Sequence, residues 1–144
     1  MNVLFFLKPK SEVAFLKEEY TLRQALEKME RSHFSAVPLI NKLGEYLGTV
    51  TEGDILWEIK SRYNINLKDA EELYIRDVPR RTVFEPVSIN ANMEDIVAKA
   101  MIQNFVPVVD DKNVFIGIIT RKDIIDFCYS SYKKYKENMD VKNA

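Results

Sequence analysis

The chain has 144 residues, of which 47% are hydrophobic and 30% charged, which is the size and composition of one ordinary globular domain. Its formal net charge is −1 with acidic and basic residues interspersed, which excludes a broad electrostatic attraction to nucleic acid or to a membrane surface. A single cysteine, Cys128, excludes an internal disulfide framework and fits a reducing compartment.

The first predicted elements lie before residue 30. The opening apolar segment Val3–Leu7 is much shorter than the roughly 20 residues of a membrane-spanning helix, and it lacks the features of a signal peptide. We therefore expect it to pack on the core of a cytoplasmic protein. A short strand is predicted near Val13–Leu16, followed by a helix whose apolar residues recur at helical spacing over Leu22–Met29, with Thr21 as its N-cap.

Two β-rich runs then lead into a second helix. Val37–Ile40 and Tyr46–Val50 flank a polar turn, which predicts a hairpin. Thr51 stands where the second run gives way to a helix. The segment 61–80 contains a further short predicted helix, which we expect Pro79 to end.

The same order of elements then repeats. From Val37 to Leu56 the sequence lies without a gap over Val106–Ile125, at an offset of 69 residues (106 − 37), and the second copy is two residues shorter just before its proline. The predicted elements of this copy are a strand near Thr82–Phe84, a helix over Met93–Ala100 behind Asn92, β-rich runs over Val106–Val109 and Val114–Ile119, and a helix after Thr120.

Each repeat alone would leave one face of a small sheet bare, and two repeats packed sheet to sheet bury it. The sequence therefore predicts an α+β protein of two tandem βαββα repeats, residues 8–60 and 81–128, related by pseudo-twofold symmetry. Residues 61–80 connect the repeats, and residues 129–144 are predicted to be a solvated helix end that frays.

A seven-residue phrase marks the end of each repeat: GTVTEGD at Gly48–Asp54 and GIITRKD at Gly117–Asp123. Together with the apolar stretch around each proline, the doubled phrase resembles the CBS domain, named after cystathionine β-synthase, whose paired form is the Bateman module. The resemblance covers residues 8–127. It implies a disc-like module with two clefts, adenosine-containing ligands in one or both, pairing into homodimers, and a free-standing protein that regulates a partner.

A second resemblance concerns two shorter stretches. DVPRR, which begins at Asp77, and FVPVVDDKNVFIGIITRKD, which begins at Phe105, are similar to free-standing bacterial pairs that bind cyclic di-AMP and act through protein partners.

The chemistry of Thr-x-x-Asp suits a nucleotide. A threonine at a strand-to-helix junction offers a hydroxyl and free backbone N–H groups at a partly positive helix end. The aspartate one turn later lies on the same side, and its carboxylate can accept both hydrogen bonds of a ribose diol. Apolar strand residues such as Ile118 or Val50 are expected to line an adenine slot.

The two copies differ in charge at this phrase. In the second, Arg121 and Lys122 add two cations, whereas the first has Glu52 in the corresponding stretch. Like charges a few ångströms apart oppose each other by about 1–4 kcal/mol. The Asp123 cleft is therefore predicted to hold the phosphorylated ligand, and the Asp54 cleft to be empty or to take a less anionic one.

The resemblance implies that each cleft also borrows residues from elsewhere in the pair. For the Asp123 cleft, which includes Thr120 and Ile118, these are Ser11, Val13, Ala14, Phe34, Ser35, Ala36 and Pro38. For the Asp54 cleft, which includes Thr51 and Val50, they are Arg81, Thr82, Val83 and Phe105, with Arg80 and Arg81 available to offset the charge of Glu52.

Structural roles compete with these ligand roles. The threonines can be plain N-caps, with Asp54 and Asp123 completing capping boxes. His33 has no partner for a metal site and is predicted at a rim or in the core. Cys128 shares a helix face with Ile124 and Ile125 and is predicted to be buried and inert. The large aromatics Trp57, Phe5 and Phe6 are expected either on a dimer surface or in the core.

No catalytic set, P-loop or GxGxxG is found in the sequence, so no catalytic residue, metal or cofactor is predicted. The favoured hypothesis is a cytoplasmic regulatory module that binds an adenine nucleotide (AMP, ADP or ATP-like) and signals to a partner protein, without a nucleic-acid or membrane partner. A structural dimerisation or adaptor protein with vestigial clefts and a cyclic di-AMP receptor are the alternatives, and an enzyme is the weakest hypothesis.

Overall fold

The computed structural model describes residues 2–62 and 66–144 and contains, within them, five α-helices and two β-sheets. The helices are α1 (Leu22–Ser32), α2 (Glu52–Arg62), α3 (Leu67–Glu72), α4 (Met93–Ala100) and α5 (Arg121–Lys142). The strands are β1 (Lys8–Pro9), β2 (Leu16–Lys17), β3 (Ala36–Ile40), β4 (Tyr46–Thr51), β5 (Val87–Ser88), β6 (Phe105–Val109) and β7 (Phe115–Thr120). Short 3-10 turns cover Val3–Phe5, Lys10–Glu12 and Ile75–Asp77.

The two sheets repeat one topology. In the first, β2 pairs parallel with β3, which pairs antiparallel with β4. In the second, β5, β6 and β7 are joined in the same way, and β1 adds to the free edge of β7. The α+β fold of two tandem repeats is therefore confirmed, with one exchange that the sequence does not announce: a strand from before the first repeat belongs to the sheet of the second.

The predicted N-caps of the first helix in each repeat are confirmed. Thr21 and Gln24 form a reciprocal capping box at α1, and the side chain of Asn92 accepts from the backbone N–H of Asp95 at α4 (2.9 Å). These side chains satisfy backbone donors that a helix start leaves free, which explains why both helices begin where the sequence predicts.

The leading strands are shorter and later than predicted. They are Leu16–Lys17 and Val87–Ser88, instead of strands near Val13–Leu16 and Thr82–Phe84. The two strands are 71 residues apart (87 − 16), because the two-residue shortening before the second proline shifts everything upstream of it.

The connecting helix also ends earlier than predicted. α3 ends at Glu72, seven residues before Pro79 (79 − 72). The chain becomes extended at Leu73, whose carbonyl accepts from the backbone N–H of Leu22 (2.7 Å), while Tyr74 bridges to Thr21. Pairing with the start of α1 therefore ends this helix, and the proline does not.

Two predictions about the last helix are wrong. α5 continues to Lys142 instead of fraying after residue 128, and Cys128 is exposed. Of the three residues expected on its buried face only Ile124 is buried, whereas Ile125 and Cys128 are exposed. The helix packs on the sheet only through its first turns and then runs past it.

Three apolar clusters hold the fold together. One lies under α1 and α2 in the first repeat, and a second lies under α4 and α5, where Val3 and Leu7 of the opening segment also pack, as predicted for that segment. The third lies between the two sheets and includes Tyr46, Phe84 and Phe115. The repeats are therefore packed sheet to sheet.

The two hairpin turns bond to each other across the pseudo-twofold axis. The backbone N–H of Tyr46 donates to the carbonyl of Asn113 (3.0 Å), and that of Phe115 donates to the carbonyl of Gly44 (2.9 Å). Each partner is the other's equivalent at the 69-residue offset (115 − 46 and 113 − 44), so the repeat written in the sequence is also a symmetric contact. Among the described residues no helix has the length and apolar character needed to cross a bilayer.

Candidate functional site

A cavity of about 150 Å³, here called the apolar cleft, lies between the two repeats. Eight of its lining residues were predicted for the Asp123 cleft: Val13, Ala14, Phe34, Ser35, Ala36, Pro38, Ile118 and Thr120. The structure adds Phe105, which was assigned to the other cleft, and Asn104, which was not predicted. Ser11 lies in the neighbouring 3-10 turn Lys10–Glu12, is exposed, and is not among these lining residues.

Backbone bonds fix the two segments that precede the prolines at this cleft. The first N–H of α2, from Glu52, donates to the carbonyl of Ser35 (2.9 Å), and the first N–H of α5, from Arg121, donates to the carbonyl of Asn104 (3.0 Å). Ser35 and Asn104 are equivalent positions at the 69-residue offset (104 − 35). That equivalence was the available signal for Asn104.

Strand periodicity decides which apolar residues reach the cleft. Ile118 does so, but Val50 is fully buried in the cluster under α1, which corrects its assignment to an adenine slot. The equivalent of Ile118 is Thr49 (118 − 69), one residue away, and neighbouring strand residues face opposite sides of a sheet. Thr49, accordingly, faces the interior between the repeats, where it contacts Tyr46.

The size of the apolar cleft limits what it can hold. Pockets for drug-sized ligands measure roughly 300–1,000 Å³, so a cavity of about 150 Å³ accommodates a flat ring and leaves the rest of a nucleotide outside. Phe34 is 52% exposed at its edge and Thr120 is half-buried. A ligand that leaves the cleft past Thr120 therefore meets the start of α5.

Asp123 lies one turn into α5 with an unengaged carboxylate. Its backbone N–H donates to Oγ1 of Thr120 (3.2 Å), so the threonine is an N-cap as the structural reading proposes. Its carboxylate accepts no hydrogen bond from the part of the chain that the structure describes. Asp123 instead borders a neighbouring cavity of about 480 Å³, together with Phe6 and Lys8.

The two cations next to Asp123 are engaged elsewhere. Nε of Arg121 donates to the carbonyl of Ala100 (2.8 Å) at the end of α4, and Nζ of Lys122 pairs with Asp126 (3.0 Å) on the same helix. The Asp126 carboxylate raises the pKa of Lys122 above its ordinary value. The phosphate role predicted for this pair is therefore not prepared in the geometry, and Lys8 is the cation that shares a cavity with Asp123.

The Asp54 position differs from this arrangement although the sequence phrase is the same. Asp54 is 2% exposed, and its carboxylate accepts from the backbone N–H of Thr51 at Oδ2 (2.9 Å) and of Arg81 at Oδ1 (2.9 Å). Its own N–H donates to Oγ1 of Thr51 (3.1 Å), which completes a capping box. Asp54 thus ties α2 to the second repeat, and both carboxylate oxygens are already engaged.

A buried polar network occupies the slot beside Asp54. The hydroxyl of Tyr46 donates to the carbonyl of Phe84 (2.8 Å) and lies 2.7 Å from Oγ1 of Thr49. The equivalent positions facing the apolar cleft are Phe115 and Ile118, which carry no hydroxyl. Burial raises the pKa of Tyr46 to about 12, against smaller lowering effects of the Thr49 hydrogen bond and of Arg80.

The other residues predicted for the Asp54 cleft do not converge on it. The Arg81 guanidinium lies over the ring of Trp57 (4.9 Å to its centroid), Thr82 is exposed and Val83 is 77% exposed. Phe105 packs against Phe84 (5.1 Å between ring centroids).

Three further residues whose place the sequence left open lie at the surface or on its edge. The backbone of His33 caps α1 in a left-handed conformation (φ 59°), and its side chain is exposed at a rim. Phe5 is exposed, whereas Phe6 is half-buried against Phe127.

We expect the Tyr46 network to make stability sensitive to high pH. Because the folded pKa (about 12) exceeds the unfolded value of 10, this contribution is complete below pH 10 and is lost as the pH rises toward 12. At pH 11 the loss amounts to about 1.4 kcal/mol. Urea unfolding of wild type and Tyr46→Phe between pH 8.5 and 11 measures it, with exposed Tyr135→Phe as the control. Parallel pH slopes for wild type and Tyr46→Phe would contradict the assignment.

Comparison with known protein families gives two matches within this chain. A model of the CBS domain matches residues 7–61 and residues 75–130. An uncharacterised protein of Methanopyrus kandleri is 31% identical over 101 residues, which are 68% of this chain and 48% of that protein. Homoserine O-acetyltransferase of Methanococcoides burtonii is 31% identical over 114 residues, 78% of this chain and 22% of that enzyme. The chain thus spans about half, or less, of the length of these two relatives.

Solved structures share the whole architecture. CbpB in complex with c-di-AMP superimposes with a TM-score of 0.83 and 27% identity, over 96% of this chain and 91% of that chain. CbpB from Streptococcus agalactiae gives a TM-score of 0.80 and 27% identity, over 94% of this chain and 84% of that chain.

Proposed function

Since the chain belongs to the CBS domain family, we propose that it is a non-catalytic regulatory module that binds one adenosine-containing ligand in the apolar cleft and thereby changes its affinity for a partner protein. The base occupies the cleft, the ribose diol bonds to the Asp123 carboxylate, and the phosphate lies near Lys8 at the start of α5. A ligand can shift such an equilibrium only by its differential affinity for the two arrangements of the repeats.

The difference between the two aspartates carries this proposal. Asp54 is buried with both carboxylate oxygens bonded to backbone N–H groups, and the slot beside it is filled by Tyr46 and Thr49. Asp123 keeps its carboxylate available next to a cleft with apolar walls. Because carboxylates in proteins are rarely left without partners unless water or a ligand supplies them, the Asp123 side is the one suited to a ribose.

Cyclic di-AMP is the first ligand to test. CbpB binds it in a structure that superimposes on 96% of this chain, and the same adenosine chemistry suits the apolar cleft. The proposed ligand class also includes AMP, ADP, ATP and S-adenosylmethionine, which share the adenine and the ribose.

Self-association and a signalling role complete the proposal. We place the protein in the cytoplasm as a homodimer that acts through a regulated protein. The match to an acetyltransferase involves only 22% of that enzyme, which fits a shared regulatory segment better than a shared reaction.

Calorimetric titration of these five nucleotides tests the proposal. We expect one of them to bind wild type with micromolar affinity and one equivalent per chain. Ala14→Leu adds three carbons to the wall of the apolar cleft and is expected to weaken binding at least tenfold, since the cavity of about 150 Å³ has no room for both. Ala98→Leu makes the same change at an exposed position of α4 and is expected to bind as wild type does.

The possible results separate the hypotheses. Two equivalents per chain would contradict the closed Asp54 slot. Absence of binding across the five nucleotides, in a protein that forms a stable dimer, would favour the structural adaptor.

A further inference from the structure

The last part of α5 is a helix without a partner in its own chain. Residues 129–142, here called the tail helix, are all exposed, and 14 helical residues span about 21 Å. A helix of this length is marginal in water unless one face packs against something. In its own chain α5 packs on β7 and α4, through residues that precede the tail helix.

The tail helix carries an apolar stripe at helical spacing. Tyr129, Tyr132, Tyr135 and Met139 follow one another by three or four residues, and each is at least 40% exposed. Such residues lie on one face of a helix. Large aromatics are also the residues most enriched in protein interfaces.

Basic side chains accompany this stripe. Lys136 lies four residues after Tyr132 and therefore on the same face, and Nζ of Lys133 lies 5.8 Å from the centre of the Tyr129 ring. Lys134 is two residues, about 200°, away from Lys136 and faces the opposite side. Residues 129–144 contain four lysines, one glutamate and one aspartate, a net charge of +2.

A groove of opposite charge lies between α1 and α2 in the first repeat. This acidic groove has a cavity of about 730 Å³ with Leu26, Met29 and Ile55 among its lining residues. Its charged lining consists of one cation, Arg23, and three anions: Glu27, Glu30 and Glu52. Arg23 is already paired with Glu27 and with Glu71, so the groove has a net negative charge.

We propose that the tail helix of one copy lies in the acidic groove of a second copy, with the tyrosines on its apolar floor and Lys136 opposite Glu30. The exchange is reciprocal, because a twofold axis repeats each contact in the dimer. A charge of +2 on the segment that contains the tail helix complements the net negative groove, and complementary charges select register and partner. The inference rests on the proposed self-association and is independent of ligand binding.

Charge reversal with matched controls tests this docking. Lys136→Glu and Glu30→Lys are each expected to weaken dimerisation about tenfold, since the symmetric dimer contains every contact twice. Lys134→Glu, on the opposite face of the tail helix, and Glu19→Lys, at an exposed turn, change the net charge equally and are expected to dimerise within twofold of wild type. The double variant Lys136→Glu/Glu30→Lys is expected to recover most of the lost affinity. Sedimentation equilibrium at low salt measures the dimerisation constants, and circular dichroism checks that each variant is folded.

Three results would overturn the inference in distinguishable ways. A wild type that is monomeric at all concentrations removes the self-association itself. A dimer that none of these variants weakens removes the docking but leaves the dimer. Single variants that weaken the dimer without recovery in the double variant show that the two surfaces do not meet each other.

Discussion

Replacement of Asp123 with alanine is expected to weaken nucleotide binding by roughly 100-fold or more while it leaves the fold intact. Two hydrogen bonds from a ribose diol to a carboxylate contribute on the order of 3 kcal/mol or more, and 1.4 kcal/mol corresponds to a factor of ten. The free energy of unfolding is expected to change by less than about 0.5 kcal/mol, because the carboxylate accepts no hydrogen bond from the described part of the chain.

Titration of whichever nucleotide binds wild type, together with urea unfolding, measures both effects. Asp123→Asn is the matched variant, because it keeps the volume and one acceptor oxygen while it removes the charge. We expect its affinity to lie between those of wild type and Asp123→Ala. Unchanged affinity in Asp123→Ala would place the ligand elsewhere.

Asp54→Ala is expected to have the opposite result, a loss of about 2–5 kcal/mol in the free energy of unfolding. The substitution removes the acceptor for the backbone N–H groups of Thr51 and Arg81, and each buried donor left unsatisfied costs about 1–3 kcal/mol. It also breaks the capping of α2 and its tie to the second repeat.

Urea unfolding of Asp54→Ala and Asp123→Ala under the same conditions makes the comparison direct, because the two aspartates occupy equivalent positions of the two repeats. We expect a lower urea midpoint for Asp54→Ala only. Equal midpoints would show that the hydrogen bonds of Asp54 add nothing to stability.

Much of the fold follows from local sequence. The N-caps Thr21 and Asn92 and the hairpins after both prolines lie where the residues predict them. The repeat at an offset of 69 residues also predicts the sheet-to-sheet packing, since each half leaves an apolar face bare. Local patterns failed where distant residues decide: the end of α3 is determined by pairing with α1, and the course of α5 beyond residue 128 is determined by where the sheet beneath it ends.

The candidate site was predictable in its walls but not in its charges. The apolar residues around the prolines converge because strand geometry places them there. Arg121 and Lys122 turn away because a helix carbonyl at Ala100 and the carboxylate of Asp126 are closer partners. The Tyr46 network was missed because its effect depends on a carbonyl 38 residues away (84 − 46). The repeats differ at that place by a hydroxyl that sequence similarity scores as a conservative change.

The pairing of β1 with β7 affects how this chain reaches its native state. Lys8 pairs with Ile118, 110 residues later (118 − 8), and the close approach of the two strands requires Gly117, where a Cβ would collide with the Lys8 carbonyl. Closure of so long a loop is entropically costly and such contacts form slowly. During synthesis residues 8–9 wait until almost the whole chain has emerged, and until then β7 presents an open edge. Completion of the second sheet is thus a late step that joins the earliest residues made to some of the last.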